Sequence, residues 1–147
     1  LGAIVKTNEQ SIITSYWKEL TQKIADSLDQ AAKASPFIES TFVGDFPKLN
    51  RFFQELLKRL TTHYEIKYIK GSMSAEDQTL LISSVSSFRN AFLQRSFSRM
   101  FDSISKSFNM NSTPSSEEII NLVSIIANEL ETAHSSSDEL TIAVAKN

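Results

Sequence analysis

The sequence predicts an all-α fold: an elongated, mostly antiparallel bundle of four to five helices. Three observations carry that prediction. Gly and Pro number only three each in 147 residues, too few for the many turns of a sandwich or barrel. Apolar residues recur at steps of three and four along most of the chain, the period of an amphipathic helix. Between residues 74 and 113 neither Gly nor Pro occurs, and five of the ten Phe stand in the stretch FRNAFLQRSFSRMFDSISKSF, Phe88 to Phe108. A helix so rich in Phe must be covered by something, and neighbouring helices are the first candidates.

The first helix is expected over Thr7 to Lys33, where Ile13, Tyr16, Trp17, Leu20, Ile24, Leu28 and Ala31 share a face. Ser35-Pro36 stops it and opens a short helix over Phe37 to Phe42, with Gly44 as a left-handed cap. Asp45 restarts the chain, Pro47 fits a first helical turn, and Leu49, Phe52, Phe53, Leu56, Leu57 and Leu60 form a broad stripe reaching Tyr64 and Tyr68. Ser74 with Asp77 resembles a capping box and begins one long helix to Phe108. Pro114 marks a loop. Ser115 or Ser116, then Glu117 and Glu118, opens a helix with Ile119, Ile120, Leu122, Val123, Ile126, Ala127 and Leu130 on its face. After HSSSDE a last segment starts at Leu140. The connections at Ser35, Gly71 and Asn109 are short, which favours antiparallel neighbours. The expected core is Trp17, Leu20, Ile24, Phe53, Leu56, Leu60, Phe88, Phe92, Ile120, Val123 and Ile126.

Composition excludes several functions. Fifteen Lys and Arg against seventeen Asp and Glu give a net charge of −2, without the basic excess of a general nucleic-acid binder. No Cys is present, so there is no disulfide framework, thiolate metal site or Cys nucleophile. No apolar run reaches membrane-spanning length. The whole of 1–147 reads as a single helical domain; it opens on LGAIVK without Met and is taken as a fragment of a longer chain.

The search for chemistry is mostly negative. Glu131 and His134 make one E-x-x-H element, whereas a carboxylate-bridged metal bundle needs two, with two further Glu on facing helices. An exposed helix end explains the pair better than a metal-binding bundle does. No phosphate loop, HExxH or nucleophile elbow occurs. Asn111-Ser112-Thr113 matches a glycosylation sequon as chance allows. Arg89, Arg95, Arg99 and Lys106 give the Phe-rich helix a basic side. A solvated face explains it, and a membrane-surface helical module is a further alternative.

Four segments in order resemble a known family. Residues 45–60, DFPKLNRFFQELLKRL, are similar to the YPKLLRL…KRL segment of the fifth subunit of the conserved oligomeric Golgi complex. Residues 91–102, AFLQRSFSRMFD, resemble that family's AYLxxSLSRLFD segment. Residues 114–130, from PSSEE to IANEL, and 140–147, LTIAVAKN, resemble its following segments. Tyr16-Trp17 fits upstream. The departures are Phe where relatives carry Tyr or Leu, and a short Gly71 to Ser74 connection where relatives have an acidic insertion. The short connection implies a loop absent from this numbering.

The resemblance implies a middle-region fragment of a non-catalytic helical-rod subunit, peripheral on the cytosolic face of the Golgi membrane. It implies a role in tethering retrograde vesicles, which keeps glycosylation enzymes in place. It implies other subunits of the complex as partners, the seventh first, with no cofactor, small-molecule substrate or nucleic acid.

One stretch is a candidate for partner binding. On a helix with about 100° per residue, Leu81, Val85, Phe88 and Phe92 share one arc. Leu93, Phe97, Met100, Phe101, Ile104 and Phe108 fall in another, shifted by about 120–150°. The apolar face therefore switches near Asn90 to Leu93, by a bend or by packing against two neighbours. Both faces are expected to be internal core. The sharper alternative leaves part of the second face, around Phe97, Phe101 and Phe108 with Arg95 and Arg99 nearby, for another subunit.

Overall fold

The computed structural model describes residues 2–67, 74–108 and 113–146, with side chains described for 12, 14–63, 74–108 and 113–146. The connection from Gly71 to Met73, Tyr68, the Asn111 end of the sequon and the side chains of Ile13 and Tyr64 lie outside the described residues. Within them the regular structure is helix throughout: α1 (Gly2–Ala34), α2 (Pro36–Gly44), α3 (Phe46–Lys67), α4 (Ala75–Ser83), α5 (Ser86–Ser107), α6 (Ser116–His134) and α7 (Asp138–Ala145). Seven helices replace the expected four to five. The all-α class stands.

Two differences account for the count. The long helix expected from Ser74 to Phe108 is two helices, broken at Ser84 and Val85, and α5 runs unbroken through Asn90 to Leu93. Four serines flank Val85 in the run SSVSS, and Ser hydroxyls compete with the backbone for helical hydrogen bonds. Here the Ser84 Oγ donates to the Leu81 carbonyl at 2.6 Å, while its N–H is shared between the carbonyls of Leu80 and Leu81. The last segment, read only as starting at Leu140, is a complete helix capped by Ser137, whose hydroxyl accepts from the Leu140 N–H. Gly44 also departs from expectation. It ends α2 as a helical residue, and no described residue has positive φ.

The chain divides into two compact units, Leu1–Phe42 with Phe52–Ser87, and Val43–Arg51 with Phe88–Asn147. In the first unit α1 packs on α4. The indole Nε1 of Trp17 donates to the Asp77 carbonyl at 2.6 Å, giving a large ring both apolar contact and a polar anchor. The cap below it is as expected: the Ser74 Oγ accepts from the Asp77 N–H. Thr21 is buried on α1, and its hydroxyl donates back to the carbonyls of Trp17 and Lys18, which spares an unsatisfied group. Leu81, Val85, Ala32 and Phe53 are buried apolar residues of this unit. Trp17, Leu20, Ile24, Leu56 and Leu60 are half-buried.

The second unit is built on α5, α6 and α7, with the start of α3. Phe46 and Phe92 are both buried, with ring centroids 5.9 Å apart. α6 opens on a full capping box: the Ser115 hydroxyl accepts from the Glu118 N–H and the Glu118 carboxylate accepts from the Ser115 N–H. Those bonds hold the Glu118 carboxyl below its ordinary pKa. α6 packs on α7, and the buried Asn50 donates to the Ser136 hydroxyl at 2.9 Å, fixing the turn between them.

The face of α6 differs from expectation. Ile120 and Val123 are exposed, at 69% and 59%, and the buried positions are Leu122, Glu129 and Ala133. The apolar residues of α6 span an arc of about 180° on the helical wheel, and only the arc centred on Leu122 is covered.

Candidate interaction surface

α5 sorts its side chains into two lines. Phe88, Phe92, Ser96 and Met100, four residues apart, are buried. Phe97, Phe101, Ile104 and Phe108 are exposed large apolar residues. The expectation that both apolar faces of this helix lie in the chain's own core is therefore overturned. A line spaced by four advances about 40° per step, so burial follows α5 only as far as Met100. Among the described residues the second face is only partly covered.

A polar junction ties the buried line to α6. The Glu129 carboxylate accepts from the Ser96 hydroxyl at 2.7 Å and from the Arg99 Nε and Nη2 at 2.6 and 2.8 Å. Ser96 is fully buried, and the Glu129 side chain is 11% exposed against 45% for Arg99. Burial alone would push the Glu129 carboxyl up. The hydrogen bonds from Arg99 and Ser96 and the guanidinium charge outweigh it and hold the carboxyl below the usual range. The bond to Glu129 raises Arg99 in turn. A forked guanidinium suits a carboxylate held in this way.

The exposed line forms one wall of a groove. Phe97 and Phe101 stack at 5.7 Å between centroids, with 26° between planes. They line a hollow of about 300 Å³ with Met100 and Ile104 of α5, Ile126 and Leu130 of α6, and Val144 and Ala145 of α7. All eight are apolar, so the groove offers shape and dewetting surface and no group for acid–base or nucleophilic work.

The residues singled out in the sequence are therefore dispersed. Phe97 and Phe101 line the groove together. Phe108 is exposed in the turn after α5 and does not line it. Arg95 points toward Gly44, where a Cβ would meet its Nη1 at 3.7 Å. Arg99 is engaged with Glu129. Sequence reasoning missed Glu129 and Ser96, and it placed Ile126, Leu130 and the α7 segment in helices without bringing them to this groove. A Glu thirty residues beyond an Arg carries no local signal, although Glu129 sits where the apolar spacing of α6 calls for a hydrophobe.

His134 Nδ1 lies 3.5 Å from Asp138 on an exposed surface. No group of three or more potential metal ligands exists among the described residues. No described helix is long and apolar enough to cross a membrane.

Residues 1–57 match the family model described as conserved oligomeric Golgi complex subunit 5, C-terminal. The Arabidopsis thaliana conserved oligomeric Golgi complex subunit 5 is 26% identical over 149 residues, covering 99% of this chain. The similarity to that subunit runs along nearly the whole length of this chain. The mouse subunit 5 is 28% identical over 174 positions, covering 98% of the chain. That alignment is longer than the chain's 147 residues, so the mouse relative carries internal sequence that this chain lacks. The Dictyostelium discoideum subunit 5 is 35% identical over 57 residues, 39% of this chain and 6% of the relative. The chain spans 18% of the Arabidopsis subunit 5 and 21% of the mouse one. No solved structure matches it.

Proposed function

We propose that this chain is a non-catalytic structural part of a Golgi vesicle-tethering complex, and that it acts through contacts between subunits. The relatives named as subunit 5 of the conserved oligomeric Golgi complex support the assignment. The observation that carries the contact role is the open groove of α5, α6 and α7 with its stacked Phe97–Phe101 pair. Isolated exposed hydrophobes are ordinary, but a contiguous apolar groove marks an interaction site. Phe97 and Phe101 form its centre, while Phe108 and Arg95 stand outside its lining. Arg99 serves it by locking α5 onto α6 through Glu129.

In this reading the chain is peripheral on the cytosolic face of the Golgi, supports retrograde vesicle tethering, and meets the seventh subunit. The mechanism is geometric. Stiff helices hold their own cores on one face and present the other to a partner. The test is co-purification of the full-length subunit with each other subunit of the complex, for the native chain and for Phe101→Asp. Native capture of the seventh subunit, lost in Phe101→Asp at unchanged melting temperature, is the expected result. Equal capture by both forms would move the contact elsewhere.

A further inference from the structure

The apolar groove continues past Phe97 into a second, more open hollow of about 410 Å³, lined by Asn90, Leu93, Gln94, Phe97 and Lys146. The two hollows share Phe97 and make one track along α5. From Asn90 to Ile104 the track follows about 21 Å of helix, roughly four turns. Its middle is apolar and one end is polar. Among the described residues Lys146 is the single charged side chain lining it, and none of them sets a carboxylate there. Among the described residues Lys146 makes no ion pair.

We propose that this track takes an amphipathic helix of a partner chain, with its apolar stripe over Phe97 and Phe101 and an acidic side chain over Lys146. The inference rests on reading this face as a subunit contact. A helix is favoured over an extended segment because the track offers side chains and no sheet edge. A strand laid there would leave its backbone groups unpaired, whereas a helix satisfies its own and needs only anchors at i, i+3 or i+4, and i+7. A second copy of this chain fits poorly. A two-fold contact sets each end of the track against the opposite end of its copy, so Lys146 would face the apolar Ile104 end and find no carboxylate there. A flat lipid surface does not fill a concave groove.

The test uses the full-length subunit in its assembled complex, with Phe101 replaced by p-benzoyl-phenylalanine and cross-linked by light. The cross-linked peptide is then sequenced. The expected peptide comes from another chain, is helical in its apolar spacing, and carries Asp or Glu within a turn of the end of its stripe. Lys146→Glu should lower the adduct yield about fivefold, a modest electrostatic effect, and Lys at that acidic position of the partner should restore it. A peptide from this chain's own sequence, a lipid adduct, or a yield indifferent to Lys146→Glu would overturn the proposal. An assembled complex with no adduct overturns the groove assignment and leaves the subunit reading standing. The expected adduct formed with a protein outside any Golgi assembly does the reverse.

Discussion

Phe92 and Phe101 are the same residue on one helix, nine positions apart, and one is 1% exposed while the other is 54% exposed. Both belong to regular apolar spacing, and nothing in their immediate neighbours separates them. The difference comes from what stands opposite. Phe92 meets Phe46. Phe101 meets Phe97 on its own helix and then open groove. Periodicity thus identifies residues able to be buried, and only the packing of a second element decides which of them are. On α5 the surplus apolar line borders a groove, where on a chain without one it would be scattered surface.

The strongest way to break the comparison is to remove the covered ring. Phe92→Ala should destabilise the chain by about 3–5 kcal/mol, since a buried Phe leaves both lost transfer energy and a cavity. Denaturant unfolding followed by circular dichroism measures it. A loss near zero would mean that the Phe46–Phe92 pair is not core.

The polar junction should follow in size. Glu129→Ala strands the buried Ser96 hydroxyl and frees Arg99. Breaking a buried pair costs about 3–5 kcal/mol, but Arg99 is almost half exposed and recovers water, so about 1–3 kcal/mol is expected. The pH dependence has a definite sign. Because the folded carboxyl sits below the ordinary value of about 4.3, its contribution is full above that value and disappears as pH falls through the folded pKa. The stability gap between native chain and Glu129→Gln should therefore shrink on acidification from about pH 5 downward. A gap independent of pH would show that folding leaves the carboxyl's pKa where the unfolded chain has it.

In the first unit the corresponding junction is a single bond. Trp17→Phe removes the donor to the Asp77 carbonyl and keeps most of the apolar area. About 1 kcal/mol is expected, the usual net value of one hydrogen bond, read as a shift in denaturation midpoint.

The helices and their caps were legible because their signals are local. Ser74 and Ser115 cap as their spacing with Asp77 and Glu118 indicates, and Pro36 and Pro47 sit in first turns. The break at Ser84–Val85 was missed because it lacks Gly and Pro, the strongest punctuators, although SSVSS supplied a weaker signal of the same kind. The buried arc of α6 was misread because its apolar arc is wider than its contact. Ile120 and Leu122 are equally apolar, and no residue near either says which will meet a neighbour. The site was half legible. Phe97 and Phe101 stand out by spacing, whereas Ile126, Leu130 and Val144 join them only through the packing of α6 and α7. Arg99 was read as a free cation because its partner lies on another helix.

The smallest expected change in stability is also the sharpest test. Phe101→Asp replaces a ring that is already more than half exposed, so little buried area is lost. Phe97 keeps its contacts with the groove walls. The new carboxylate sits in the middle of α5, away from the charged helix ends. Surface changes of this kind fall within about 0.5 kcal/mol, so the melting temperature should stay within a degree or two of the native chain. Phe92→Asp on the same helix should unfold it, because an unpaired buried charge adds to the lost ring. Equal unfolding by both would place Phe101 in the core and erase the distinction between the two lines of α5. A stable Phe101→Asp beside an unfolded Phe92→Asp keeps that distinction and makes the variant a clean probe of partner binding.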